Sequence, residues 1–345
     1  MIGKIEEFHT ALADWFEAEG RDYPWRRTRD PYAILVSELM LQQTQVATVL
    51  GPKRYYQNWL QRFPTMEVLA GAGEEEILRA WEGLGYYRRA RHLHAAAKMV
   101  CDDLGGLFPD TVEGILALPG VGRYTAGAVA CFAFGLPAPI VDANVARVLA
   151  RLYNFRERID TGRGRATLWS WAEALVPECG ARIFNSALME LGQRLCSTKV
   201  PACESCPVAN FCAGREHDPG ALPRKGERRK IERVEEHGIW AEKEGRLLLA
   251  RGGEGGRREG LWKFPERAAK TVAALPQLLE MGYSITRYRV TLRVYRCPEA
   301  VAGPGERWIA REKIEELPMA SPYRRALRRI EADALRELKS APVRV

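Results

Sequence analysis

Two carboxylates occupy positions suited to acid–base chemistry. Glu38 has Ile34 four residues before it and Leu41 three after it, and residues at these spacings share one face of a helix. Glu38 therefore lies on the apolar side of its helix, although a surface glutamate is far commoner. Because burial disfavours the charged form, such a carboxyl would stay protonated near neutral pH and could act as an acid.

Asp142 is a second carboxylate in a different setting. It follows a Pro-Ala-Pro break, and Val145, Val148 and Leu152 then repeat at helical spacing. The structural interpretation is a helix N-cap, a role that aspartate fills well. The functional interpretation is a fixed, ionised carboxylate, because a polar helix start favours the charge that an apolar face disfavours.

A glycine-rich turn, L-P-G-V-G at residues 118–122, stands before a long apolar segment. Pro119 cannot continue a preceding helix, and Gly120 and Gly122 can adopt backbone angles that other residues avoid. The free N–H groups at the next helix start, together with its dipole, favour an anion such as a DNA phosphate. An ordinary connection between two helices is the alternative interpretation of this turn.

Four cysteines within seventeen residues indicate a metal site: Cys196, Cys203, Cys206 and Cys212. Zinc is the commonest metal at such sites. A [4Fe–4S] cluster takes four thiolates and no histidine, and none of the five histidines lies within this run. The other cysteines are isolated and are expected to be packing residues: Cys101, Cys131, Cys179 and Cys297.

Length and charge limit the class of protein. A chain of 345 residues can hold two or three domains, and a net charge of +8 suits a polyanionic partner. The first residues are acidic where a signal peptide is basic and then apolar, and no apolar run reaches membrane-spanning length. We therefore expect an intracellular protein without membrane contact, whose cysteines are thiols or metal ligands rather than disulfides.

The hydrophobic periodicity predicts two kinds of domain. Helical spacing predicts a mainly α unit over residues 1–221, with helices at 5–18, 32–50 and 181–195. Residues 222–236 are highly charged and are predicted to be a linker. Beyond them the period changes to two, which predicts a smaller α+β domain over 237–345. Its predicted strands include 286–295, and its predicted helices are 275–281, 311–316 and 322–338.

Several motifs carry a family resemblance. L-P-G-V-G followed by V-D-x-N-V-x-R-V resembles the helix–hairpin–helix DNA glycosylases, which include endonuclease III. S-E-L-M-L-Q-Q-T-Q-V and W-E-G-L-G-Y-Y-R-R-A-R resemble the adenine DNA glycosylase (MutY) family. The cysteine spacing is similar to the [4Fe–4S] loop of both families. G-L-W-x-F-P at residues 260–265 resembles a Nudix-like C-terminal domain, here without the acidic helix that pyrophosphate hydrolysis needs.

The resemblance implies a monofunctional enzyme that excises adenine mispaired with 8-oxoguanine or guanine from double-stranded DNA. Glu38 would protonate the imidazole-ring nitrogen of the flipped adenine, and Asp142 would stabilise the oxocarbenium sugar. Asn144 matches the residue that orients this carboxylate. Tyr124 stands where bifunctional relatives carry a lysine. The implied cofactor is a [4Fe–4S] cluster on the four cysteines, in a helix–hairpin–helix unit (118–126) with a cluster loop (196–212).

The resemblance also assigns DNA contacts: Gly120 and Gly122 at the hairpin, Gln43, Thr44 and Tyr86 near the mismatch, Arg21 in the base pocket, and Thr286 and Arg287 at the opposite base. The Thr286 hydroxyl can accept from the ring N–H of 8-oxoguanine. Arg287 only donates, which suits ordinary guanine, and a phosphate contact is its alternative role. We therefore expect a smaller preference for A·8-oxoguanine over A·G than in members with the usual Phe-Ser-His turn.

Two positions depart from the family pattern, and two other functions compete. Ala143 replaces a usual glycine, and Ser186 stands where many members place Glu or Gln against the adenine.

A thymine glycosylase acting on T·G would share the hairpin and the cysteine loop, but not M-L-Q-Q-T or the C-terminal domain. A non-catalytic DNA-binding protein would not require a buried Glu38. We expect a monomer in the bacterial cytoplasm, associated with the nucleoid.

Overall fold

The computed structural model describes residues 4–227 and 230–340 and divides into two compact units. The helical unit comprises Met1–Gly71 with His92–Glu227, and the mixed unit comprises Ala72–Arg91 with Arg228–Val345. The helices are α1 (Ile5–Glu19), α2 (Pro31–Leu41), α3 (Val46–Val49), α4 (Tyr55–Arg62), α5 (Met66–Gly71), α6 (Glu74–Ala80), α7 (Arg88–Asp102), α8 (Val112–Leu116), α9 (Arg123–Phe134), α10 (Ala143–Leu152), α11 (Gly162–Leu175), α12 (Ala181–Arg194), α13 (Ala269–Val272) and α14 (Ser321–Ser340). The strands are β1 (Glu232–Trp240), β2 (Glu242–Lys243), β3 (Arg246–Arg251), β4 (Trp262–Lys263), β5 (Gln277–Ile285), β6 (Tyr288–Arg296) and β7 (Glu306–Ala310).

Helices α1, α10, α11 and α12 share one apolar core in the helical unit. Its buried side chains recur at helical spacing, and burying them is the main source of stability. They include Phe8, Leu12, Val145, Leu149, Leu168, Phe184, Leu188 and Leu191. Cys196, Cys206 and Cys212 pack against this core, so the cysteine loop is anchored to the core that includes α10, the helix that Asp142 caps. The predicted helices at 5–18 and 181–195 are confirmed to within a residue.

Helix α2 is buried along nearly its whole length. Every side chain from Tyr32 to Met40 is buried, and the Asp30 carboxylate caps the helix by accepting from the backbone N–H groups of Tyr32 and Ala33 at 3.0 and 3.3 Å. The predicted continuous helix over 32–50 is wrong. The chain leaves α2 at Leu41 and starts α3 at Val46, because Gln43 has a φ of +57°, a left-handed conformation that no α-helix continues through.

The mixed unit contains two sheets. In the first, β6 pairs with β1 in parallel and with β5 antiparallel. In the second, β3 pairs with β2, β4 and β7, all antiparallel. The predicted α+β character is confirmed, but the predicted helix at 275–281 is wrong because β5 occupies that stretch. Leu279, Met281 and Tyr283 form its buried face with a period of two.

The boundary between the units differs from the prediction in two ways. The linker is shorter than 222–236, because the 222–227 stretch is fixed to the helical unit and β1 already begins at Glu232. The backbone N–H of Gly226, for example, donates to Asp160 Oδ2 at 2.9 Å. Residues 228–229 of the predicted linker lie outside the described residues.

Residues 72–91 also belong to the mixed unit and not to the helical domain predicted over 1–221. Their polar side chains explain this assignment. Arg324 donates from Nε to Glu82 at 3.0 Å, and the Tyr87 hydroxyl bonds to the Met319 carbonyl at 3.4 Å. Among the described residues, no helix is both long enough and apolar enough to cross a membrane.

Candidate active site

Glu38 lies in the last turn of α2 and is only 5% exposed. Burial raises the pKa of its carboxyl to about 7, and the nearby negative charge of Asp142 adds to the rise. The Tyr124 hydroxyl, from the first turn of α9, donates a hydrogen bond to Glu38 and opposes this rise in pKa. A carboxyl of this pKa is partly protonated at neutral pH, as the spacing around Glu38 predicts, and it can release a proton to a base.

Asp142 is the N-cap of α10, as the sequence predicts. Its Oδ1 accepts from the Val145 N–H at 2.6 Å, and its Oδ2 accepts from Asn144 Nδ2 at 2.9 Å. Burial raises the pKa of this half-buried carboxyl as well, while these hydrogen bonds and the positive charge of Arg147 lower it. The predicted N-cap role of Asp142 is confirmed, and the bonds that cap α10 also fix the position of this carboxyl, whose charge raises the pKa of Glu38.

A pocket opens next to Glu38. Its apolar wall includes Trp25, Leu41, Phe132 and Met189, and α12 contributes a polar stripe. The side chains of Arg26, Arg182, Ser186 and Gln193 line it together with Tyr23, Ile34, Ser37 and Val46. Concave sites with an apolar wall and a few convergent polar groups are typical of ligand pockets. The structure thus brings Glu38 and Ser186 together at one cavity.

The hairpin predicted at 118–126 joins α8 to α9. Gly120 has a φ of +75°, and a Cβ there would meet the His92 ring at 2.2 Å, so only glycine fits this turn. Gly122 is the N-cap of α9 and makes no side-chain cap, and a Cβ there would meet nothing within 4 Å. The space beside Gly122 at the start of α9 is therefore open, and the first N–H groups of a helix are groups that an anion can bind.

The remaining residues that were predicted to contact DNA are distributed over both units. Gln43 and Tyr86 are exposed and have φ of +57° and +45°. Thr44 is half-buried and lies three residues after the end of α2. Arg21 is 56% exposed, with Nη1 at 3.3 Å from the Tyr23 hydroxyl and Nε at 3.6 Å from Glu190. Gln43, Thr44 and Arg21 belong to the helical unit, and Tyr86 belongs to the mixed unit.

Thr286 and Arg287 form the turn between β5 and β6. Thr286 has a φ of +52°, and its hydroxyl donates to the Ile285 carbonyl at 2.7 Å. The hydroxyl oxygen keeps its capacity to accept a hydrogen bond. Arg287 is engaged within the unit, because its Nη2 lies 2.9 Å from Glu232 Oε1 and 3.2 Å from the Tyr288 hydroxyl. Reading of guanine by Arg287 would therefore require it to exchange these partners.

The four loop cysteines line one pocket together with Arg151 and Arg215. Arg151 Nη1 lies 3.2 Å from Cys196 Sγ, and burial raises the pKa of the Cys206 thiol to about 11. Over the described part of the chain, no three histidine, cysteine, aspartate or glutamate side chains are placed to hold a single metal ion. The four cysteines therefore share one pocket in the described structure.

Comparison with known proteins gives the family. Residues 36–174 match the family described as HhH-GPD superfamily base excision DNA repair protein. Human adenine DNA glycosylase is 32% identical over 95% of this chain and 74% of its own length. The enzyme of Mycolicibacterium smegmatis is 42% identical over 58% of this chain and 67% of its own length. The chain belongs to the adenine DNA glycosylase family.

A solved structure supports the fold of the helical unit. A thermostable thymine-DNA glycosylase is 35% identical, with a TM-score of 0.56, and covers 62% of this chain and 97% of its own. As an adenine DNA glycosylase family member, the chain is a hydrolase of N-glycosyl bonds and acts in base excision repair. The helix–hairpin–helix glycosylase fold predicted for it is confirmed.

Two buried arginines of this family member were not predicted. Arg147 donates to Asn144 Oδ1 at 2.9 Å and to the carbonyls of Gly192 and Cys196 at 2.6 and 2.7 Å. It therefore joins the residue that holds Asp142 to the start of the cysteine loop. Arg151, 1% exposed, reaches Cys196 Sγ and the carbonyls of residues 197, 198 and 222. The available signal was their position among the apolar residues of α10, where an arginine needs buried partners.

Glu190 is a further residue that sequence reasoning missed. Its side chain is fully buried on α12, and its Oε2 accepts from Arg26 Nη2 at 2.9 Å. This ion pair holds Arg26 against the pocket. No local pattern around Glu190 indicates an acceptor for Arg26, because 164 residues separate the two.

Proposed function

We propose that this enzyme hydrolyses the N-glycosidic bond of adenine mispaired with 8-oxoguanine or guanine in duplex DNA. The single observation that carries the proposal is the buried carboxyl of Glu38, with its pKa raised to about 7, at a pocket beside the capped carboxylate of Asp142. One acid and one anion in adjoining but different environments are what acid-assisted departure of a base requires.

In the proposed reaction, Glu38 gives its proton to the imidazole-ring nitrogen of a flipped adenine, which then leaves as a neutral base. Asp142 faces the positive charge that develops on the sugar. An opposite charge about 4 Å away at an effective dielectric near 20 is worth roughly 4 kcal/mol, or about a thousandfold in rate. Asn144 and Arg147 keep the carboxylate in place.

We infer that the enzyme is monofunctional. Tyr124 points its hydroxyl at Glu38, and a phenol cannot form a Schiff base with the sugar as a lysine can. Borohydride reduction during turnover should therefore give no strong covalent adduct through residue 124. A strong adduct trapped through a lysine would contradict this inference.

The DNA is proposed to lie against the hairpin, with phosphate oxygens at the N–H groups of Gly120 and Gly122. Gln43, Thr44 and Tyr86 are proposed to contact the duplex at the mismatch, where a planar amide or ring can fill the gap left by an extruded base. Arg21 is proposed to complete the base pocket. Thr286 is proposed to read the opposite base, since its hydroxyl can still accept a hydrogen bond, in a mixed unit that we propose to be Nudix-like.

We also propose that Cys196, Cys203, Cys206 and Cys212 hold a [4Fe–4S] cluster. The four cysteine side chains line one pocket, and four thiolates are the ligand set that such a cluster takes. When bound, the cluster would fix a loop that otherwise has little core of its own. The purified protein should be brown with about four irons per chain, and Cys203→Ser should lose them. One stoichiometric zinc would refute the assignment.

Single-turnover excision on A·8-oxoguanine, A·G and T·G duplexes tests the proposed function. Adenine should be released from the first two, and thymine should stay in place in the third. Glu38→Gln should slow excision by about 10²–10⁴-fold while mismatch binding stays within a few-fold, because glutamine keeps the shape but has no proton to give. Near-normal excision by Glu38→Gln would remove this residue from the mechanism. Monomeric mass in solution is likewise proposed and is checked by light scattering.

A further inference from the structure

We propose that Gln193 reads the Watson–Crick edge of the flipped adenine and so is a specificity-determining residue. The inference rests on the proposed function. Gln193 lines the pocket beside Glu38 with three other side chains of α12: Arg182, Ser186 and Met189. Their spacing of four, seven and eleven residues from Arg182 places all four on one helix face. Gln193 is the last of these four residues along α12, and its amide side chain is exposed.

Most polar groups around the pocket are already committed. The Ser37 hydroxyl donates to the Ile34 carbonyl at 2.7 Å. Arg182 donates hydrogen bonds to three backbone carbonyls, those of residues 132, 26 and 28, at 2.6 to 2.8 Å. Arg26 donates to Glu190 at 2.9 Å and to the carbonyl of residue 21 at 2.5 Å. These groups shape the pocket and have little hydrogen-bonding capacity left for a base.

Ser186 and Gln193 are the uncommitted polar side chains of the α12 stripe. Neither side chain makes a hydrogen bond to any described residue of the protein. Ser186 offers a single short hydroxyl, whereas the Gln193 amide presents an acceptor and two donors in one plane. That arrangement matches a base edge that offers a donor beside an acceptor.

The edge that Gln193 would read follows from the role of Glu38. The carboxyl of Glu38 engages the imidazole ring of adenine, which leaves the amino group and the pyrimidine-ring nitrogen for another partner. Flipped bases are commonly recognised by hydrogen bonds to this Watson–Crick edge. Gln193 can accept from the amino group through Oε1 and donate to the ring nitrogen through Nε2, and the small Ser186 leaves room for a long side chain to do so.

Purine in place of adenine isolates this contact, because it lacks only the amino group. Single-turnover excision is measured on duplexes carrying adenine or purine opposite 8-oxoguanine, for wild type, Gln193→Met and Ile183→Ala. Methionine keeps the length of glutamine without its hydrogen bonds. Ile183 is the matched control, since it is also on α12, is 50% exposed and does not line the pocket. The adenine-to-purine rate ratio should fall about fivefold in Gln193→Met, the value of one hydrogen bond, and should not change in Ile183→Ala.

The outcomes separate this inference from the function on which it rests. An unchanged ratio in Gln193→Met overturns the role of Gln193, even if both rates fall together, because an equal loss on both bases is a structural effect. Failure of the wild-type enzyme to release adenine from any duplex would instead overturn the proposed function, and the role of Gln193 with it. A reduced ratio confined to Gln193→Met supports both.

Discussion

Replacing Glu38 with glutamine should slow excision by about 10²–10⁴-fold and should make the folded protein more stable above about pH 5. The carboxyl of Glu38 has an ordinary pKa of 4.5 and a folded pKa of about 7. Below pH 4.5 it is protonated in both the folded and the unfolded chain, so burial of the neutral acid costs little. As the pH rises from 4.5 to 7, the unfolded chain releases its proton and gains solvation that the folded chain lacks.

The size of the effect follows from the difference between the two pKa values. Their difference, 7 − 4.5 = 2.5, at about 1.36 kcal/mol for each pKa unit, gives a loss of about 3 kcal/mol of folding free energy above pH 7. Glutamine has no proton to release and avoids this loss. The advantage of Glu38→Gln over wild type should therefore grow between about pH 4.5 and 7 and stay constant above that.

Urea unfolding of the full chain, followed by far-UV circular dichroism over this pH range, measures the difference directly. Any constant contribution of the amide itself cancels, because the prediction concerns only the change with pH. Glu17→Gln is the control, since Glu17 is an exposed carboxylate on α1, and its difference from wild type should be flat. If the Glu38→Gln difference were equally flat, the carboxyl would not be destabilised by burial, and the explanation of its acidity would be wrong.

Three further predictions concern catalysis and recognition. Tyr124→Phe should move the alkaline limb of the excision rate to higher pH, because the Tyr124 hydroxyl lowers the pKa of Glu38 and its removal raises that pKa. A single-turnover pH series checks this, and a shift of the limb to lower pH would contradict it. Arg147→Met should slow excision more than it weakens mismatch binding, since Asn144, which holds Asp142, and the carbonyls of Gly192 and Cys196 lose their donor. Equal losses in both assays would argue against a role of Arg147 in positioning Asp142. Thr286→Ala should narrow the preference for A·8-oxoguanine over A·G by severalfold, about 1 kcal/mol, and an unchanged ratio of single-turnover rates would show that this hydroxyl does not read the base.

The local features of the site follow from sequence spacing, whereas its long-range contacts do not. The capping role of Asp142 depends on neighbours within four residues, so local spacing is enough to predict it. Glu38 is buried as predicted, but every side chain from Tyr32 to Met40 is buried too, so its burial does not depend on the helix face that it occupies. The bond from Tyr124 to Glu38 joins residues 86 positions apart along the chain (124 − 38). No pattern in either segment indicates it, because α2 and α9 meet only when the core of the helical unit forms.

The wrong helix at 275–281 shows how pairing overrides local preference. This stretch contains leucine, glutamate and methionine, which favour helices. In the structure, β5 instead pairs with β6 along most of its length, and the buried side of the strand packs within the mixed unit. Strand formation depends on such neighbours more than on the residue's own preference, so a single sequence cannot reveal it.

Three of the residues that the family resemblance assigns to DNA have a strained, left-handed backbone. Within the described residues, seven residues other than glycine have a positive φ, and Gln43, Tyr86 and Thr286 are three of them. This conformation costs roughly 1–2 kcal/mol for a residue with a side chain. Glu244 needs it to form the tight turn before Gly245.

A tyrosine in the left-handed conformation raises the free energy of the folded protein, because its Cβ crowds the backbone there. Tyr86 nevertheless stands 46% exposed there, between Gly85 and the start of α7. Within the protein its ring packs against the Arg89 guanidinium, 5.6 Å from the ring centroid. An exposed cation–π contact of this kind is worth roughly 0.5–1 kcal/mol, which is less than the roughly 1–2 kcal/mol cost of the left-handed backbone. Strain that exceeds its folding benefit is expected where a side chain must be presented to a ligand, and for Tyr86 it supports the proposed contact with the duplex.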